Sequence, residues 1–314
     1  MTVPKWQGIY PALLTPFTAE DTIDFDMFKI NLDAQLDAGI DGIVLGGSLG
    51  EASTLLNIEK LELIRFSKKN MSRPVPVIVN IAEQSTRTAI AAAEDAEKNG
   101  ADGLMLLPPM RYRADDKETI TYFKAIAATT FLPIMIYNNP YDYKIEVTLR
   151  MFEELAAITT IQAVKESTRD VSNVTRMYNH FGNRFKILCG VDTLALEELA
   201  LGVDGWIGGL VDAFPLETVI IYKLMKAGMC KEALAIYRWF FPVLELDIHQ
   251  KLVQYIKLAA TQTGISTEYV RAPRLRLEGA ERTTVLKTIN DAIATRPDLT
   301  DYLHLIKNDH AERV

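Results

Sequence analysis

The sequence predicts an α/β fold: a closed (β/α)8 TIM barrel followed by a C-terminal helical extension. Three observations carry this. Short β-branched runs alternate with amphipathic helical stretches without a break as far as about residue 212. There are eight such runs at near-regular spacing, the number that closes a barrel. Beyond them only the helical period remains.

The strands are predicted at residues 8–14, 42–46, 75–81, 103–107, 133–137, 161–165, 185–188 and 205–209. Between them, apolar residues recur at three and four positions and predict helices at 26–38, 58–69, 86–98, 117–128, 149–158, 171–181 and 194–201. Three units end alike, in Gly39-Ile40-Asp41-Gly42, Gly100-Ala101-Asp102-Gly103 and Gly202-Val203-Asp204-Gly205. The first glycine of each suits the left-handed residue that ends a helix, so the motif reads as turn chemistry and not as a site. A doubly wound open sheet is the rival fold. It would carry a glycine-rich phosphate loop after the first strand, and Tyr10-Pro11-Ala12-Leu13-Leu14-Thr15-Pro16 is unlike one.

Helices are next predicted at 216–227, 231–246, 251–264 and 280–294, with Gly228, Pro242 and Pro273 as punctuation. The expected organisation is a catalytic barrel at 1–212, a helical extension at 213–296 packed on it, and a loosely held polar tail at 297–314.

Composition agrees with an ordinary globular protein, 48% apolar and 24% charged over 314 residues. A net charge of −7 without a basic run argues against nucleic acid, whose phosphates need clustered Lys and Arg. No apolar stretch approaches the ~20 residues that cross a bilayer, and the opening residues hold no signal-peptide core. The expectation is a cytoplasmic protein that touches no membrane. The two cysteines, Cys189 and Cys230, form no framework and are read as small buried residues.

In such a barrel the reactive groups stand at the C-terminal ends of the strands. None of His180, His249, His304 and His310 falls there, so no histidine set for a catalytic metal is expected. Glu51, Glu83 and Glu166 share that end, but a carboxylate pair for glycoside hydrolysis has no support from spacing. Lys165 follows the apolar run Ile161-Gln162-Ala163-Val164. Desolvation there favours the neutral amine, which can form a Schiff base with a ketone. A salt bridge to Glu166 or Glu51, or phosphate binding, is the alternative. Tyr137 at the end of strand five is either a proton shuttle or a buried ring. The turn from Gly46 to Glu51 offers successive backbone N–H groups to a carboxylate or phosphate.

Together these residues resemble the dihydrodipicolinate synthase / N-acetylneuraminate lyase family over nearly the whole chain. Gly47-Ser48-Leu49-Gly50-Glu51 is similar to its Gly-Ser/Thr-x-Gly-Glu motif, Tyr137-Asn138-Asn139-Pro140 to its Tyr-Asn-x-Pro, and Val164-Lys165-Glu166-Ser167 to its Ile-Lys-Glu/Asp-Ser/Thr. The resemblance implies a class I lyase in which Lys165 forms the Schiff base and Tyr137 is the general acid/base. It implies that the amides of Ser48 and Leu49 bind the carboxylate of a 2-oxo acid, with the Ser48 hydroxyl relaying protons. Gly47, Gly190 and Ile207 would complete the substrate pocket, with no metal and no cofactor. It also implies a homo-oligomer, a tetramer or dimer.

Three departures bear on the substrate. Asp142 stands where the synthases carry an arginine that holds the second substrate, and an acid there repels a carboxylate. Met110 stands where the synthases and sialate lyases place a tyrosine shared between subunits, with Tyr112 nearby. Leu49 replaces a threonine but keeps its N–H. With Leu107-Pro108-Pro109-Met110 and Leu188-Cys189-Gly190-Val191-Asp192, the chain is more similar to 1-pyrroline-4-hydroxy-2-carboxylate deaminases of hydroxyproline breakdown. That implies a cyclic imino acid as substrate and 2-oxoglutarate semialdehyde and ammonia as products. A pyruvate-dependent aldolase or dihydrodipicolinate synthase is the alternative, and a non-catalytic ligand-binding barrel the remote one.

Overall fold

The computed structural model describes residues 2–300 and Tyr302. Eight parallel strands pair in the order β1-β8-β7-β6-β5-β4-β3-β2. They are β1 (Gly8–Pro11), β2 (Ile43–Leu45), β3 (Val77–Ile81), β4 (Gly103–Leu106), β5 (Ile134–Asn138), β6 (Ile161–Glu166), β7 (Lys186–Cys189) and β8 (Gly205–Gly208). A parallel bridge from Ala12 to Val44, with Leu13 N–H donating to Val44 O at 2.9 Å, joins β1 to β2 and closes the barrel. Most strands are buried throughout, which explains their continuous apolar runs.

The helices are α1 (Phe25–Ala38), α2 (Asn57–Asn70), α3 (Thr86–Lys98), α4 (Asp116–Ala127), α5 (Pro140–Tyr143), α6 (Leu149–Leu155), α7 (Ser172–Phe181), α8 (Ala195–Ala200), α9 (Pro215–Lys226), α10 (Cys230–Leu244), α11 (Leu252–Gln262) and α12 (Gly279–Ala294). Their starts follow side-chain chemistry: Asp24, Ser85 and Asp115 each accept a hydrogen bond from a backbone N–H in the first turn of α1, α3 and α4. Their ends follow glycine, with Gly39, Gly100 and Gly202 all at left-handed φ between 91° and 97°.

Several expectations need correction. Strand one is shorter than 8–14: Ala12 and Leu13 still bond to the neighbouring strands, and beyond them Leu14 N–H is taken by the Asp212 carboxylate at 3.0 Å. Pro242 does not interrupt its helix: it lies in the last turn of α10, and a 3-10 turn (Glu245–Ile248) follows. Cys189 is buried, but Cys230 opens α10 on the solvent side and is exposed. The first part of the tail is not loose, since Leu299 is buried and Tyr302 packs against the core. An ion pair from Arg296 to the buried Glu217 holds its approach. The rest of the tail, with His304 and His310, lies outside the described residues.

Candidate active site

Pairing of β5 with β6 sets Tyr137 directly across from Lys165. The Lys165 ammonium nitrogen stands 4.2 Å from the centre of the Tyr137 ring. Lys165 makes no ion pair with any described residue. The Glu166 carboxylate is instead occupied by Thr168 N–H at 2.7 Å and Asn173 Nδ2 at 2.8 Å. Glu51 belongs to Lys257, at 2.5 Å. Burial holds the Lys165 amine below the ordinary lysine range, against the opposing pull of Asp247, Tyr143 and Asp192. Gly190 is needed beside it: a Cβ there would lie 2.7 Å from Lys165 Cε and 2.1 Å from Ser167 Oγ.

Across the cavity runs the turn that leaves β2. Gly46 takes φ +60°, and Gly50 packs so closely that a Cβ would lie 2.9 Å from Leu13 O. Ala52 N–H returns to Gly47 O at 3.1 Å, and Glu51 N–H to Ser48 O at 3.2 Å. The N–H groups of Ser48 and Leu49 donate to no described residue, and both residues line the cavity. Gly47, Ser48, Leu49, Tyr137, Lys165, Gly190 and Ile207, the residues singled out from sequence, all border this one space.

Sequence reasoning missed three further residues: Asp247 and Arg169 border this space, and Tyr143 lines the hollow next to it, which shares Ser48. Tyr143 hydrogen-bonds the Ser48 hydroxyl and sets its ring edge-on to Tyr137, with centroids 5.7 Å apart. It ends the single turn α5, whose start is fixed by Asn139 Oδ1 accepting Asp142 N–H at 3.1 Å and by Pro140. The pair Asn139-Pro140 is a helix-start signal that would have pointed to Tyr143. Asp247 enters from the turn after α10 and accepts Asp192 N–H at 3.2 Å. Burial, and then the Asp192 charge, push its carboxyl up to about 8. Nothing in the sequence links position 247 to the barrel mouth. Arg169 borders the entrance from the loop after β6.

Two further aromatic residues, Tyr112 beside the Met110 departure and Trp206 on β8, play no part in lining the cavity. Tyr112 is exposed and stands among Pro109, Glu118 and Tyr122, away from the cavity; the phenol against Ser48 is Tyr143. Trp206 is fully buried and donates Nε1–H to Asp192 Oδ1 at 2.8 Å, so it positions that carboxylate instead of shaping the pocket. Asp142 is at the exposed rim and accepts Asn139 Nδ2–H at 2.7 Å, while the same amide donates to the Tyr137 oxygen at 3.1 Å. His180 pairs with Glu153 at the surface, His249 stacks on Tyr255, and no cluster suited to a metal ion occurs among the described residues.

An amine that burial pushes toward its neutral form at the C-terminal mouth of a (β/α)8 barrel offers addition to a carbonyl carbon, the chemistry of the Schiff-base lyases. Residues 5–292 match the model of the dihydrodipicolinate synthetase family, and the chain belongs to that family, whose members are class I lyases. It is 32% identical over 278 residues to the 4-hydroxy-tetrahydrodipicolinate synthase of Moorella thermoacetica, covering 88% of this chain and 94% of that one. The synthase of Exiguobacterium sibiricum is 30% identical, covering 90% and 97%. A solved dihydrodipicolinate synthase from Bacillus anthracis superposes with a TM-score of 0.88 at 27% identity, over 95% of this chain and 100% of that one. Among the described residues no helix is long and apolar enough to cross a membrane.

Proposed function

We propose that the chain forms a Schiff base between Lys165 and C2 of a 2-oxo acid, and that it uses the resulting enamine in a pyruvate-type condensation or its reverse. The observation that carries this is Lys165 itself: buried, without a counter-ion, and held against a phenol. The neutral amine adds to C2, and the carbonyl oxygen leaves as water after protonation by Tyr137 or Ser48. The free N–H groups of Ser48 and Leu49 hold the substrate carboxylate, which fixes C2 over Lys165. The iminium then withdraws electrons from C3, whose proton departs toward the Tyr137 oxygen. The synthase names of the relatives favour 4-hydroxy-tetrahydrodipicolinate synthesis within this chemistry.

A second reading is favoured by Asp142 at the rim, which does not suit a second substrate held there by its carboxylate. In it Lys165 attacks the imine carbon of 1-pyrroline-4-hydroxy-2-carboxylate. Tyr137 assists loss of the 4-hydroxyl as water, and hydrolysis releases ammonia and 2-oxoglutarate semialdehyde.

Borohydride trapping with peptide mass spectrometry, using pyruvate and the pyrroline in parallel, separates the two. An adduct on Lys165 with pyruvate, and turnover when an aldehyde acceptor is added, is the expected result. Adduct and ammonia release with the pyrroline alone would move the protein to the deaminase reading. Absence of any adduct on Lys165 would end both.

A further inference from the structure

We propose that Arg169 is the specificity-determining residue of this site and binds a carboxylate carried by the substrate remote from its 2-oxo group. The inference rests on the Schiff-base reading and adds the substrate class to it.

Arg169 borders the same cavity as Lys165 and is half-buried. Its guanidinium lies over the Tyr141 ring, with Cζ 3.4 Å from the ring centre. Among the described residues it has neither an ion-pair partner nor a hydrogen-bond acceptor. Arg271 is spent on Glu59 and Asp21, Arg184 on three backbone carbonyls and Arg176 on Asp170, and none of these borders the cavity. Arg169 alone among the residues lining the catalytic cavity offers an unused planar fork of donors, the geometry that matches a carboxylate in two parallel bonds. Stacking on Tyr141 fixes the orientation of that fork before any ligand arrives, which lowers the cost of ordering it.

The backbone reinforces the reading. Arg169 takes φ +62°, a left-handed conformation in which a side chain is strained and glycine is not. A bulky residue kept where glycine would fold more easily points to work done by the side chain. The two acids on this side of the cavity leave the guanidinium available. Asp142 is bonded to the Asn139 amide, and Asp247 is bonded to Asp192 N–H. Burial also pushes the Asp247 carboxyl up, toward its neutral form, against the pull of Lys165 and Arg169.

The test compares 2-oxoglutarate with 2-oxopentanoate, and 2-oxoadipate with 2-oxohexanoate, pairs of equal carbon number that differ only in the distal carboxylate. Half-saturating concentrations for borohydride trapping on Lys165 are measured in the full chain, with pyruvate as reference. The wild-type protein is expected to favour the diacid of at least one pair by roughly 10- to 100-fold, the value of a hydrogen-bonded charged pair. Arg169→Gly is expected to bring that ratio near one, and Arg169→Lys to leave part of it. Taking the ratio within each protein cancels any change common to all imines. Relief of the left-handed strain should leave the melting temperature of Arg169→Gly at or above wild type, which separates lost recognition from lost folding. A wild-type ratio near one in both pairs, or a ratio unchanged in Arg169→Gly, overturns the inference while a pyruvate adduct leaves the Schiff-base reading standing. No adduct with pyruvate or any of the four removes both.

Discussion

Ser48 and Tyr137 stand on opposite sides of the cavity, and Tyr143 is the group that touches both, through a hydrogen bond to one and an edge contact to the other. In the proposed reaction, a proton leaving C3 or arriving at the carbinolamine oxygen would therefore find three linked hydroxyls near Lys165, all supplied by one chain. Tyr143→Phe is expected to lower turnover by roughly 10²- to 10⁴-fold, the usual share of a positioned proton carrier, while Lys165 still forms a trapped adduct. Parallel turnover and trapping measurements check this, and an undiminished rate would make Tyr143 a packing residue only. The contrast among these residues shows what a sequence exposes. Lys165, Tyr137 and Ser48 end strands or follow them directly, and strand ends are found by period. Tyr143 hangs on a one-turn helix that no periodicity reveals, and Asp247 reaches the site from 55 residues beyond its backbone partner Asp192.

The turn after β2 and helix α11 are tied together by the pair Glu51–Lys257, with both side chains fully buried. Arg271 N–H also donates to Glu51 at 3.1 Å, and Tyr269 O accepts from Lys257 at 2.6 Å. The turn that presents the Ser48 and Leu49 amides is thus braced by the C-terminal helices. Lys257→Met would leave the buried Glu51 with only the Arg271 N–H and the more distant Arg274 guanidinium, at 3.5 Å, and should cost about 3–5 kcal/mol of stability by denaturant unfolding. A loss below about 1 kcal/mol would mean the remaining donors satisfy Glu51 by themselves. Helix α8 carries a different buried acid. Burial, then the charge of Glu166, push Glu198 up to about 8. Between the ordinary range near 4.5 and about 8, the unfolded chain releases this proton while the native protein keeps it. This group's contribution to stability is therefore fully present below that window and lost as pH rises through it. Glu198→Gln has no proton to release, so its melting temperature relative to wild type should rise from about pH 5 to about pH 9. A constant difference by calorimetry would contradict this. Neither pairing is legible in sequence, because both depend on which helix covers which strand end.

The barrel and the helices that follow it act as one body in the site, since Asp247 comes from beyond α10 and Lys257 from α11. The eight βα units were legible because each repeats one pattern, and the extra helices because that pattern stops. Their docking was not, because an amphipathic helix reveals that it has a buried face and not what covers it. The same gap holds for surfaces between copies. Leu56 and Ile58, 64% and 52% exposed, stand at the start of α2. Leu56 also borders a hollow shared by Met110, Tyr143 and Ser48 next to the catalytic cavity. Apolar side chains left open beside a site fit a surface that a second copy covers. We expect a homo-oligomer, sedimenting at a multiple of 35.2 kDa, and a shift toward monomer in a Leu56→Glu, Ile58→Glu double variant. The bond between Ser48 and Tyr143 lies within one chain, so the monomer formed in this way should still trap pyruvate on Lys165. A wild-type monomer at working concentration would refute the assembly. A dissociated variant that no longer forms the adduct would show instead that a neighbouring subunit completes the cavity.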